Sequence, residues 1–279
     1  MNPGHETGSG TERLAEWQVQ GNAAERYERW VVPFVVGPWA PALLDLAQLR
    51  PGERVLDIAT GTGVVARLAA RRVSPGGTVT GLDLNAAMLE EAKGLPLPPG
   101  LAVDWRQGSA LALPFADTMY DVALCQQGLQ FFPERLKALG EMHRVLVSGG
   151  RVAVSVWTGP SPYFVAMREG LARYVSPDAA ISGAAAFSLG DAAELRGLVE
   201  AAGFQDVVVH HVRQMLRLPP PEEFFLKHLS AVPAADLVAA AGPEVHTALV
   251  AHMKEATRAY VDGYGLVVPQ EINVATAST

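Results

Sequence analysis

The chain has 279 residues, 49% apolar and 18% charged, which suits one packed globular domain and excludes a disordered chain. A net charge of −7, with Lys and Arg scattered and no basic stripe, argues against nucleic acid as a substrate. Cys125 is the single cysteine, so an internal disulfide is excluded, no Cys/His spacing suits a metal, and a reducing cytoplasm is the expected setting.

Residues 1–10 are rich in Gly and polar side chains and read as a loose tail without the pattern of a signal peptide. No run reaches the roughly 20 unbroken apolar residues needed to span a bilayer. Residues 11–279 read as a single domain. Its first part, 11–50, holds two helices, Glu12–Trp30 and Pro41–Gln48, with Leu14, Trp17, Tyr27 and Trp30 as the large side chains of an N-terminal helical cap.

From Arg54 onward, short β-rich runs alternate with helical stretches, the signature of βαβ units and a parallel sheet. The expected strands are Arg54–Ile58, Thr78–Asp83, Ala102–Gly108, Asp121–Cys125 and Arg151–Val156, preceded by turn chemistry such as Pro51-Gly52, Pro75-Gly76-Gly77, Pro98-Pro99-Gly100 and Ser148-Gly149-Gly150. Helices are expected at Gly63–Arg72, at Asn85–Lys93 with Asn85 as N-cap, and at Glu134–Val147. In the last of these, Leu136, Leu139, Met142, Val145 and Leu146 recur at the spacing of one apolar face.

Further helices are read at Ser161–Tyr174 and Asp191–Ala202, the latter ending at Gly203, followed by a sixth strand at Asp206–Leu218 that closes the core at 51–218. Residues 219–262 then read as a helical insertion, opened by Pro219-Pro220-Pro221 with Glu222 and Glu223 in the first turn. A second helix covers Pro243–Tyr260. The insertion is expected to form part of a substrate lid, and the last strand, within 263–279, centres on Leu266–Thr276.

The segment Val55-Leu56-Asp57-Ile58-Ala59-Thr60-Gly61-Thr62-Gly63 is an apolar strand, then small residues, then a helix start. Small residues let backbone approach a ligand, and the free N–H groups of the helix N-terminus face what binds there. Taken alone it also fits the dinucleotide pattern Gly-x-Gly-x-x-Ala, with Asp83 about 20 residues on as a ribose acid. Two acids, Asp57 and Asp83, stand at successive strand ends, and a carboxylate such as Asp83 can accept two hydrogen bonds from ribose hydroxyls.

Residues 54–157 resemble the class I S-adenosylmethionine-dependent methyltransferases, particularly the ubiquinone/menaquinone C-methyltransferase-like group. Four segments carry the likeness in order: 55–63, Gly-Leu-Asp-Leu-Asn-Ala-Ala-Met-Leu at 81–89, Gly-Ser-Ala-Leu-Ala-Leu-Pro-Phe at 108–115, and Arg-Val-Leu-Val-Ser-Gly-Gly-Arg-Val at 144–152. The departures are Ala59, where the family often has glycine, and Ser109, where an aspartate commonly meets the adenine amino group. That leaves neighbouring backbone or Ala110 as the adenine reader.

The resemblance implies an α/β, Rossmann-like, seven-stranded sheet, mostly parallel with the last strand antiparallel and helices on both faces. It implies S-adenosyl-L-methionine as cofactor and S-adenosyl-L-homocysteine as product. Cofactor contacts are expected from Asp57, Ala59, Thr60, Gly61, Gly63, Asp83, Leu84, Met88, Gly108, Ser109 and Ala110, and from Gln126, Gln127 and Phe131 after the fourth strand. Phe131 is placed to face the sulfonium by a cation–π contact.

The substrate wall is expected from Tyr27, Trp30, Gln130, Trp157, Tyr163 and Phe164, an apolar set suited to a small, partly apolar methyl acceptor. Methyl transfer needs alignment and water exclusion rather than strong acid catalysis. The base, if there is one, is unassigned, with Tyr27, His210 and His211 as candidates; the two adjacent histidines point to opposite faces of a strand and cannot pair on a metal. His143 reads as a surface group, and His228 has no partner visible in sequence. A nicotinamide oxidoreductase and a non-catalytic cofactor-binding protein are the alternatives, although none of the six tyrosines begins a Tyr-x-x-x-Lys pair. The oligomeric state is read as monomer or homodimer.

Overall fold

The structure, a computed structural model, describes residues 22–279. The expected tail at 1–10 and the helical reading of 12–21, with Leu14 and Trp17, lie outside the described residues.

Helix α1 (Ala23–Trp30) runs through a π turn (Val32–Val36) and a 3-10 turn (Gly37–Trp39) into α2 (Ala40–Ala47). Pro33 and Pro38 cannot donate to the helical ladder, which accounts for the change of winding. By length and composition Ala23–Ala47 is apolar enough to cross a membrane. Here Trp39, Leu43 and Leu44 are sealed in the protein core, as expected of a core helix.

The βαβ series follows as β1 (Arg54–Ile58), α3 (Val64–Val73), β2 (Thr78–Asp83), α4 (Ala86–Gly94), β3 (Asp104–Gln107) and β4 (Tyr120–Gln126). Then come α5 (Arg135–Val145), β5 (Leu146–Trp157), α6 (Pro162–Tyr174), α7 (Pro177–Ile181), α8 (Ala192–Ala201) and β6 (Gln205–Leu218). The last part holds α9 (Pro221–Leu229), α10 (Ala235–Ala240), α11 (Pro243–Ala256), β7 (Val261–Asp262) and β8 (Gly265–Ser278).

The sheet order is β3-β2-β1-β4-β5-β8-β6, with two-residue β7 paired to the start of β8 as an eighth, minor strand. The βαβ strands pair in parallel, and β8 inserts antiparallel between β5 and β6. The expected mostly parallel sheet with an antiparallel last strand is therefore present.

Side-chain alternation sorts the strands onto two apolar clusters. Val55, Val122 and Leu124 enter one cluster with α2, α3, α6, α9 and α11, while Leu56, Ala123 and Cys125 enter the other with α5 and α8. Helices thus cover both faces.

Three expectations need correction. Leu136 is exposed, because α5 starts only at Arg135 and Ala138 takes the buried position of that turn. The helix ends at Val145 rather than Val147: β5 begins at Leu146, with a register shift between Tyr120 and Val122 absorbing the Ser148-Gly149-Gly150 stretch. Finally, α7 and a 3-10 turn (Ala184–Phe187) lie between two expected helices, where no element is assigned from sequence; Ser176 caps α7 by accepting from the Ala179 amide at 3.1 Å.

Candidate functional site

The C-terminal ends of β1, β2 and β4 open into a cavity of about 610 Å³, as an open α/β sheet places its ligand crevice. At its floor, Asp57 at the end of β1 is buried and its Oδ2 accepts from the Thr60 hydroxyl at 2.5 Å and the Ala66 amide at 3.1 Å. One carboxylate thereby ties the turn to the first turn of α3. Burial pushes its pKa up to about 7, with the two hydrogen bonds opposing.

The second acid crosses to the same turn. Asp83 Oδ2 accepts from the Gly61 amide at 2.7 Å and Oδ1 from the Asn85 amide at 2.9 Å. Burial again raises its pKa, and the backbone bonds lower it. Each carboxylate oxygen has more than one lone pair, so Asp83 keeps acceptor capacity toward the cavity. Asn85 caps α4 as expected, its Oδ1 accepting from the Ala87 amide at 2.9 Å.

The turn is a cradle by conformation. Ala59 (φ 55°), Gly61 (φ 57°) and Gly63 (φ 86°) all lie in the left-handed region. At Gly61 an added Cβ would meet only Tyr27, at 3.9 Å, so its smooth face is open toward the cavity. At Gly63 it would strike the Trp105 ring at 2.2 Å. Gly63 therefore serves the packing of Trp105 and the cap of α3 and does not line the cavity, correcting its expected cofactor contact.

Of the residues expected at the cofactor, Asp57, Ala59, Thr60, Gly61, Asp83, Leu84, Met88, Gly108, Ser109, Ala110, Gln126, Gln127 and Phe131 all line this cavity. Ser109 Oγ accepts from the Leu111 amide at 3.1 Å, so its hydroxyl shapes the loop. Gln126 donates to the Val36 carbonyl at 2.9 Å, which leaves its Oε1 buried without a partner; Gln127 Nε2 is likewise buried and unpartnered. An ammonium-and-carboxylate ligand end would satisfy one acceptor and one donor of this kind, and the acids opposite suit a ribose. The residues present fit the cofactor implied above.

Of the substrate set, Tyr27, Trp157 and Phe164 line the cavity. The structure does not bring Trp30, Gln130 or Tyr163 to it. Trp30 instead lies under the Lys227 ammonium, 4.5 Å from the ring centroid. Gln130 is buried beside Gln127 and donates to its Oε1 at 3.3 Å. Tyr163 is fully buried with its hydroxyl on His228 Nδ1 at 2.8 Å.

His210 and His211 also lie away from the cavity. Along β6 they meet β8 instead, His210 at Thr276 Oγ1 (3.2 Å) and His211 at Asn273 Oδ1 (3.3 Å). Tyr27 does reach the cavity, but burial, then Asp83, then Glu28 push its phenol pKa upward, so it stays protonated. That state suits a hydrogen-bond donor better than a base.

Several lining residues escape sequence reasoning: Val32 and Val35 from the π turn, Met167 and Arg168 from α6, Phe187 from the 3-10 turn, and His228 and Leu229 from α9. Met167 falls inside an expected helix, where an apolar side chain is equally a mark of core packing, and no local pattern marks the others.

The cap and the insertion meet over the cavity. Glu28 accepts from the Thr62 hydroxyl and pairs with Arg67 at 3.2 Å, linking α1 to the turn. Arg26 Nε donates to the Ser230 carbonyl at 2.8 Å, linking α1 to the end of α9.

A family profile described as methyltransferase domain matches residues 56–154. An uncharacterized protein of Mycobacterium tuberculosis is 36% identical over 124 residues, 44% of this chain and 44% of that protein, so less than half of that relative's length is matched. The ubiquinone/menaquinone biosynthesis C-methyltransferase UbiE of Stutzerimonas stutzeri is 32% identical over 188 residues, 62% of this chain and 73% of that enzyme. Phosphoethanolamine N-methyltransferase 2 of Haemonchus contortus, solved with S-adenosyl-L-methionine, has a TM-score of 0.58 at 21% identity, over 98% of this chain and 60% of that one. This last likeness is one of fold. With the two strand-end acids, the glycine turn between them and the sheet order in place, the chain belongs to the class I S-adenosylmethionine-dependent methyltransferases, of the ubiquinone/menaquinone C-methyltransferase type.

Proposed function

We propose that the chain transfers a methyl group from S-adenosylmethionine to a small, partly apolar acceptor, releasing S-adenosylhomocysteine. The observation that carries this reading is the convergence of Asp57 and Asp83 on the turn 59–63 at the floor of a largely apolar cavity. Asp83 is assigned the ribose hydroxyls, Asp57 the order of the turn, and Gln126 and Gln127 the amino-acid end. Phe131 is assigned to the sulfonium side.

When bound, the cofactor supplies a sulfonium whose methyl is already poised to leave. The chain then has to align a nucleophile and keep water out. Val32, Val35, Phe164, Met167 and Leu229 line the cavity with apolar surface, which favours an apolar acceptor over a peptide or nucleic acid. We assign the 219–262 insertion, with α1, to the roof that excludes water.

The names of the relatives suggest a quinol-like ring as the first acceptor class to try. Calorimetric titration with S-adenosylhomocysteine tests the cofactor assignment, and NADPH serves as the counter-ligand. Turnover of S-adenosylmethionine labelled in its methyl group, offered with naphthalenediols, phenols, amines and fatty acids, tests the acceptor class. Tight NADPH binding without S-adenosylhomocysteine binding refutes the reading.

A further inference from the structure

His228 lies in the last turn of α9, buried to 1% exposure, and is among the residues that line the cavity, with Phe164 and Leu229. Packing fixes the ring on two sides. It stacks on Phe224 with centroids 5.3 Å apart and planes 8° from parallel, and it meets the Phe164 ring edge-on at 6.0 Å. Such an imidazole has little freedom to turn.

The tautomer follows from its one hydrogen bond. Nδ1 lies 2.8 Å from the hydroxyl of Tyr163, which is fully buried and has no other partner among the described residues. A buried hydroxyl hydrogen left without an acceptor carries its full desolvation penalty. Tyr163 therefore donates to Nδ1, and the neutral ring carries its own proton on Nε2. Burial keeps the ring neutral, pushing its pKa down to about 4.

Nε2 has no hydrogen-bond partner among the described residues, and it is not one of the polar atoms enclosed without access. A fixed N–H donor set in an apolar wall is a recognition element: it accepts a ligand that offers a lone pair and discriminates against one that leaves the donor dry. We propose that His228 is a specificity residue that selects a methyl acceptor bearing a carbonyl-type oxygen, with Tyr163 as the positioning residue that sets its tautomer. This rests on the methyltransferase reading of the same cavity.

The test uses the full chain saturated with S-adenosylhomocysteine and two shape-matched probes, 1-tetralone and tetralin, which differ by one carbonyl oxygen. Titration of the wild-type chain is expected to favour tetralone by about tenfold, the worth of one neutral hydrogen bond. His228→Phe removes the preference. His228→Gln, which still offers an N–H, keeps most of it, and Tyr163→Phe lowers it by freeing the tautomer while leaving tetralin binding unchanged. Because the readout is a ratio within one protein, a general loss of fold does not imitate it, and the wild-type and Tyr163→Phe ratios stand if His228→Phe does not fold. Equal binding of the two probes, binding of neither, or a preference that survives His228→Phe overturns the proposal. A wild-type chain that does not bind S-adenosylhomocysteine overturns the methyltransferase reading instead.

Discussion

The carboxylate of Asp83 accepts a hydrogen bond from the amide of Gly61 at 2.7 Å, so the end of the second strand holds the turn that leaves the first. The proposed cofactor site and the order of the loop are therefore one structure. Asp83→Ala is expected to weaken S-adenosylhomocysteine binding by about 1–3 kcal/mol, roughly 5- to 150-fold, through loss of charge-assisted bonds and of this tether. Calorimetry checks it, and unchanged affinity removes Asp83 from the site.

Asp57 makes stability depend on pH with a definite sign. Its carboxyl is raised by burial from 3.8 to about 7, so between those values the folded chain binds more protons than the unfolded one. Its contribution is fully present below about pH 4 and is lost as pH rises through 7. Asp57→Asn removes this titration, and the variant should gain on the wild type as pH rises from 4 to 7. Urea unfolding at a series of pH values measures the gap; a gap independent of pH contradicts the assignment.

Gly63 and Gly76 have nearly the same backbone, with φ of 86° and 85°, but different surroundings. A Cβ at Gly63 meets the Trp105 ring at 2.2 Å, whereas at Gly76 the nearest atom is Gly52 Cα at 3.9 Å. Gly76→Ala should cost only the left-handed penalty, about 1–2 kcal/mol. Gly63→Ala should cost about 1–3 kcal/mol more, for overpacking. Equal losses in thermal unfolding rule out Trp105 as the obstacle.

Glu28 is the link from the cap to the turn, accepting from Thr62 and pairing with Arg67. Glu28→Ala leaves the Thr62 hydroxyl without its acceptor and takes the ion pair from Arg67, which keeps its bond to the Thr62 carbonyl, and a loss of about 1 kcal/mol in unfolding free energy is expected. Amide exchange at residues 60–64 should rise in the variant. If only α1 loosens, the cap does not support the turn.

The strand-and-turn series was legible because its signals are local. Arg54–Ile58 and Thr78–Asp83 are read to the residue, since Pro/Gly turns bound short apolar runs, and Asn85 announces its helix as a cap. Asp57, Asp83 and the glycines lie within about 30 residues of one another, so their chemistry could be seen without the fold. Leu136 shows where locality fails: spacing alone put it on an apolar face, but the start of α5 left it in solvent.

What the sequence by itself determined is the turn at the cavity floor, where Asp57 and Asp83 stand at strand ends and small residues allow the left-handed backbone. The acceptor half was decided by tertiary structure, because its wall is assembled from segments far apart in the chain. Tyr163 and His228 stand 65 residues apart, and nothing local in either helix marks them as partners. Only the packing of α9 against α6 brings them together, and it places the Tyr163 hydroxyl on the one imidazole that lines the cavity among the described residues.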